Sequence, residues 1–149
     1  MNVLLGLLVC LNFACGADVS AGTEGAHIVS VSASGNENNY TFSVGIKSPD
    51  TGCKQYADWW EVISEDGELV YRRILGHSHA GEQPFVRSGG KVQIKEGQRV
   101  FVRAHMNNSG YGGIVFAGSV ENGFAKVELD QSFGADLESM SPQPSGCAF

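Results

Sequence analysis

Three histidines have the residue type and spacing that a metal site requires. His77 and His79 form an H-x-H pair, Glu82 follows shortly after it, and His105 lies near the end of a later alternating segment. Residues two apart in an extended chain point the same way, so His77 and His79 would share a face. Together with His105 they predict a mononuclear copper or zinc site with three nitrogen ligands. The alternative is that the loop histidines only form hydrogen bonds to the backbone or to solvent.

A second set of side chains would suit an anionic or carbohydrate ligand. Residues 72–103 carry seven basic and two acidic side chains, whereas residues 18–71 carry two basic and nine acidic ones. The middle segment therefore predicts an anion-binding face, unless its cations pair with the acidic segments across the sheets. Aromatic side chains would add stacking surfaces for a sugar ring. The predicted ligand-binding residues are Arg73, Glu82, Arg103, Trp59, Trp60 and Tyr111.

The sequence contains no arrangement typical of a catalytic centre. A G-x-S-x-G motif and a phosphate-binding loop are absent, and Asp58 and Glu61 are expected on opposite faces of one strand. A net charge of −6 argues against nucleic acid as a partner. We therefore expect a binding or interaction module for an anionic, carbohydrate or protein partner rather than an enzyme. A copper or zinc protein and a structural accessory domain are the alternatives.

The first 17 residues predict a secretory signal segment. They form an uncharged apolar run that ends in small residues near Ala17 and is too short to span a bilayer stably. Residues 11–16 resemble a bacterial lipobox, which would make Cys15 a lipidated residue, although Asn12 replaces the usual Leu. Ordinary cleavage after Gly16 or Ala17 is the alternative. We expect a secreted, periplasmic or outer-surface protein with no membrane span.

The number and placement of the cysteines are consistent with an exported protein. Cys10 and Cys15 fall within the signal region, which leaves Cys53 and Cys147 as a pair. An even number of cysteines in an oxidising compartment predicts a disulfide between them. Such a bridge would close a loop of about 95 residues and stabilise the fold by ~4 kcal/mol in the chain-entropy model.

The remaining sequence divides into a polar tether at 18–26, a folded domain at 27–130 and a Ser/Pro/Gly-rich tail at 131–149. Alternating apolar residues predict strands within the domain. Trp59 and Trp60 should face opposite sides of the third strand, and Asp66-Gly67 should form the hairpin turn that follows it. The predicted strands cover residues 29–33, 40–46, 56–63, 69–75, 92–94, 100–106, 114–120 and 125–129, with a long loop at 76–90.

Seven to eight short strands without a convincing helix predict an all-β, antiparallel β-sandwich. The strand order, with a Trp in the third strand, resembles the immunoglobulin and fibronectin type III class. That resemblance implies an architecture and no activity. The run GCKQYADWWEVISEDGELVYRRILGHSHAGEQPF, residues 52–85, resembles uncharacterised exported bacterial proteins with no assigned function. This second resemblance supports the predicted fold and implies no chemistry.

Overall fold

The computed structural model describes residues 24–148, and within them it contains nine strands and one short 3₁₀ helix. The predicted signal segment, Cys15 and residues 18–23 of the predicted tether lie outside the described residues. The strands are β1 (His27–Asn36), β2 (Asn39–Lys47), β3 (Ala57–Ser64), β4 (Leu69–Ile74), β5 (Phe85–Val92), β6 (Val100–Met106), β7 (Gly110–Tyr111), β8 (Ile114–Ser119) and β9 (Gly123–Glu128); the helix is Ala135–Ser139.

The strands form two antiparallel sheets. The smaller has the order β1-β2-β5, and the larger has the order β4-β3-β6-β8-β9, with β7 paired to β6. Apolar residues from both sheets form the core between them. The predicted all-β fold of antiparallel sheets is therefore confirmed. Among the described residues, no helix is long and apolar enough to cross a membrane.

The core follows from the two-residue period of the strands. Phe42, Val44 and Ile46 of β2 are fully buried on the face that meets the larger sheet. Trp60 of β3 packs into the same core and lies against Tyr71, with ring centroids 5.5 Å apart. We call this side of the larger sheet its inner face and the opposite side its outer face. Trp59 lies on the outer face, so the predicted split of the two tryptophans is confirmed.

The predicted hairpin between the third and fourth strands is also confirmed. Gly67 has a φ of 83°, a conformation that glycine adopts without strain. Across this turn the Ser64 N–H donates a hydrogen bond to the Glu68 carbonyl at 2.9 Å. The turn sets the register in which Glu61 of β3 lies opposite Arg72 of β4.

The predicted loop at 76–90 is wrong over its last part, because strand β5 begins at Phe85 and pairs with β2. Gly89 and Gly90 interrupt the alternation of apolar residues, so the alternation pattern does not predict this strand. Gly89 is needed for packing, since a Cβ atom there would lie 2.6 Å from the Tyr71 hydroxyl and 3.0 Å from the Trp60 ring.

The predicted alternation also fails at the start of β1. The register between β1 and β2 shifts between Ile28 and Ser30, which is a β-bulge. The bulge buries Ile28 and leaves Val29 42% exposed, although Val29 is expected on the same side as Val31 and Ala33. An apolar side chain therefore reaches the surface at the edge of the smaller sheet.

The start of β1 fits tightly against the connection between β7 and β8. A Cβ atom on Gly112 would overlap the carbonyl oxygen of Ala26, whereas one on Gly113 would meet no atom within 4 Å. We expect Gly112→Ala to lower the free energy of unfolding by about 1–3 kcal/mol through overpacking. Gly113→Ala is the matched control and should be neutral or slightly stabilising. Urea denaturation measures both, and equal effects of the two substitutions would contradict this packing.

Candidate functional site

A buried carboxylate lies at the centre of the outer face of the larger sheet. Glu61 of β3 has no exposed surface, and it accepts hydrogen bonds from Arg72 of β4 and Arg103 of β6. The Nε atoms of the two guanidinium groups lie 2.8 Å and 2.7 Å from its oxygens. Both arginines are themselves buried. One negative charge is thus shared by two positive ones, which leaves an excess of positive charge and of N–H donors.

The chain after the last strand satisfies those donors. We call residues 130–148 the C-terminal segment. Arg103 donates to the carbonyls of Phe133 and Gly134 at 2.6 Å and 2.8 Å. Arg72 donates to the carbonyl of Leu137 at 2.6 Å, and also to those of Met140 and Pro142. The predicted tail therefore lies against the sheet over at least residues 133–142.

The aromatic residues of the outer face are enclosed in the same layer. Trp59 stacks on His105 with ring centroids 3.6 Å apart, and the Arg72 guanidinium lies 4.4 Å from the Trp59 ring. Arg103 lies 3.5 Å from the centroid of Tyr111. Burial, and after it the charge of Glu61, raises the pKa of Tyr111 above its ordinary range. These residues have internal partners, so stacking on a sugar would require the C-terminal segment to leave.

His105 is held between two carboxylates. Its Nδ1 lies 2.7 Å from Asp58 Oδ1, and its Nε2 lies 3.0 Å from Glu138 Oε1. Asp58 was expected on the face opposite Glu61, but a register shift between Ala57 and Trp59 turns its carboxylate towards His105. The bulge therefore overturns that expectation and ties β3, β6 and the C-terminal segment together.

The other two histidines belong to a different group of contacts. His79 is buried and stacks on Phe85 with ring centroids 3.8 Å apart, and its backbone N–H donates to Asp50 Oδ2 at 2.8 Å. The exposed His77 ring lies 4.4 Å from the His79 ring. Burial, then the charges of Arg87 and His77, lower the pKa of His79 below its ordinary value.

The predicted three-histidine site is not assembled in this structure. The ring nitrogens of His105 face Asp58 and Glu138, whereas His77 and His79 contact each other and Phe85. Within residues 24–148 no group of three or more His, Cys, Asp or Glu side chains is placed to hold a metal ion. The H-x-H pair is brought together as expected, but without its third ligand.

Several cations of the predicted anion-binding face pair with carboxylates. Besides the two arginines on Glu61, Arg87 pairs with Glu82 at 2.9 Å and Arg99 pairs with Glu65 at 3.0 Å. Arg73 donates instead to the carbonyl oxygens of Ser88 and Ile74. The structure therefore favours the alternative in which these charges serve internal pairing.

The predicted disulfide between Cys53 and Cys147 is confirmed, with Cα atoms 5.6 Å apart. Next to it, the Ala148 amide donates to the Gly76 carbonyl at 2.7 Å. The end of the C-terminal segment is therefore attached to the domain both covalently and by hydrogen bonding. A disulfide is typical of proteins in oxidising compartments.

An open concave surface lies where β1 of the smaller sheet meets β8 and β9 of the larger one. This edge cleft has a volume of about 380 Å³. Its apolar walls include Ile28 and Val29 of β1 and Ile114 and Phe116 of β8, and its lining also includes Lys47 and Lys126. No sequence pattern indicates this cleft, since the bulge that exposes Val29 and the packing of β1 on β8 are both tertiary features.

Comparison with known proteins gives one partial match. A protein of Halomicrobium mukohataei named "Putative lipoprotein" is 38% identical to this chain over 87 residues. The match covers 58% of this chain and 42% of that protein, so the chain spans about two fifths of the length of its relative. No family model matches the chain, and no solved structure matches it significantly.

The shared carboxylate gives a direct test of the outer face. We expect Glu61→Gln to lower the free energy of unfolding by about 3–5 kcal/mol, because it leaves two buried guanidinium groups without their counter-charge. Glu65→Gln removes an ion pair whose two side chains are about half exposed and should cost less than about 1 kcal/mol. Guanidinium chloride unfolding of both variants gives the comparison. A Glu61→Gln effect no larger than that of Glu65→Gln would show that the buried network is dispensable.

Proposed function

We propose that this chain is an exported β-sandwich binding module that holds an apolar ligand group in the edge cleft. The observation that carries this proposal is the cleft itself, with its apolar walls and its volume of about 380 Å³. Pockets that bind small molecules are typically concave and mostly apolar, with volumes of roughly 300–1,000 Å³. The 42% exposure of Val29 places an apolar group in contact with solvent at the cleft.

The tryptophans predicted to bind a ligand are buried by other parts of the chain. Trp59 is only 2% exposed, and the C-terminal segment supplies hydrogen-bond acceptors to both arginines beside it. Trp60 belongs to the core between the sheets. A ligand would therefore reach the edge cleft without displacing any part of the described chain.

Export is supported by the disulfide and by the name of the partial relative. We further propose that Cys15 is a lipidated residue that anchors the domain to a membrane surface. The bridge between Cys53 and Cys147 uses the two cysteines of the domain, which leaves Cys15 and Cys10 of the signal region for other chemistry. The immunoglobulin- or fibronectin-like architecture is likewise proposed, on the strand order β1-β2-β5 facing β4-β3-β6-β8.

A neutral solvatochromic dye such as Nile red tests the cleft. Wild-type protein should bind it with a blue-shifted emission, and Val29→Asp should weaken this binding at least tenfold, because a carboxylate would enter an apolar cleft. Val86→Asp is the matched control, since Val86 is a 52% exposed valine of the same sheet that does not line the cleft. Dye binding that both substitutions weaken equally, or that neither changes, would refute the edge cleft as a binding site.

Detergent phase partitioning tests the anchor. When the whole chain is expressed with its signal segment, we expect the mature protein to enter the Triton X-114 phase and its N-terminal peptide to carry acyl mass. Cys15→Ser should move the protein to the aqueous phase, and Cys10→Ser should not. A wild-type protein that stays aqueous and begins at residue 17 or 18 would establish ordinary cleavage instead.

A further inference from the structure

We infer that the edge cleft takes an amphipathic anion, specifically a free acyl chain that ends in a carboxylate. This inference rests on the proposed function and adds the chemistry of the ligand to it. Its basis is the combination of apolar walls with lysines: Lys47 ends β2 and Lys126 lies in β9, and both line the cleft.

Among the residues that the structure describes, neither Lys47 nor Lys126 forms an ion pair. Every ion pair within residues 24–148 joins a carboxylate to an arginine or a histidine; the arginines are Arg72, Arg87, Arg99 and Arg103. No acidic residue is found among the described residues that line the cleft. In a chain of net charge −6, this is a local positive region beside an apolar surface. Such a region attracts the anionic end of a ligand.

The two lysines suit a head group that is attracted by charge and is not held in one fixed orientation. Lysine ammonium groups are compact charges on flexible stems, so they can follow a carboxylate at the end of a mobile acyl chain. The lysine stems can lie along the apolar walls while their ammonium groups stay in water. A carboxylate at the mouth of the cleft would lie near the lysine charges, and its hydrocarbon chain would lie against the apolar side chains of Ile28, Ile114 and Phe116.

The concave shape favours a single free chain over a bilayer surface. Ile28 is buried in the floor, and Ile114 and Phe116 are half-buried in the wall. A protein that inserts into a bilayer presents apolar groups that project from its surface. The cleft instead offers a recess of about 380 Å³, into which part of a ligand can withdraw from water.

Displacement of Nile red by ten-carbon ligands tests the inference at concentrations below micelle formation. At low ionic strength decanoate should bind about tenfold more tightly than decan-1-ol, since each lysine contributes a partly screened charge interaction. Decyltrimethylammonium should bind more weakly than the alcohol. Lengthening the carboxylate from octanoate to decanoate should strengthen binding about fourfold per buried methylene. High salt should reduce the preference for decanoate.

Two double variants test whether Lys47 and Lys126 cause the preference for an anionic ligand. Lys47→Gln/Lys126→Gln should abolish the preference for decanoate over decanol while dye binding is retained. Lys91→Gln/Lys95→Gln removes two lysines that do not line the cleft and should leave the preference intact. Equal affinities for decanoate and decanol in the wild type would overturn the inference and leave the proposed function standing. Absence of dye binding in the wild type would overturn both. Flotation with phosphatidylcholine vesicles, without binding of monomeric decanoate, would identify a membrane surface instead.

Discussion

The pairing of the Glu61 carboxylate with Arg72 and Arg103 is the interaction on which the outer face of the larger sheet depends. A buried charge is costly unless it is paired, and here two arginines pair with it from neighbouring strands. Two guanidinium groups carry more donors than one carboxylate can accept. Backbone carbonyls of the C-terminal segment accept five further hydrogen bonds from these two arginines. The segment is therefore required by the charge arrangement of the sheet, and it is fixed at its end by the disulfide.

This arrangement determines where a ligand can bind. The inner face of the larger sheet is used by the core, and its outer face carries the C-terminal segment over Trp59 and the arginine pair. In the part of the chain that the structure describes, the edge where β1 meets β8 carries an open apolar cleft. There the bulge at Val29 prevents β1 from continuing its regular contact with the core. The same local irregularity that interrupts the alternation pattern thus exposes an apolar side chain at the cleft.

The sequence predicted features that depend on local pattern and missed features that depend on backbone partners. Alternation gave the antiparallel sheets and the opposite orientations of Trp59 and Trp60, and Asp66-Gly67 gave the hairpin. The first part of strand β5 was missed because Gly89 and Gly90 have no side chains and therefore break the pattern of alternating apolar and polar residues. The C-terminal segment accepts the arginine hydrogen bonds through backbone carbonyls. Because every residue has a carbonyl, no residue type in the segment indicates this role. The edge cleft was missed because it depends on packing between strands far apart in sequence.

Strand β8 shows how the covered face and the open cleft coexist in one element. Side chains alternate along a strand, so Ile114 and Phe116 line the cleft while the buried Val115 and Ala117 point to the opposite side. The apolar cleft walls and the layer fastened to Glu61 are thus on different faces of the larger sheet. Substitutions at residues that share no contact partner usually have additive effects on the free energy of unfolding. Substitutions at the cleft can therefore alter ligand binding while the buried charge network continues to hold the C-terminal segment in place.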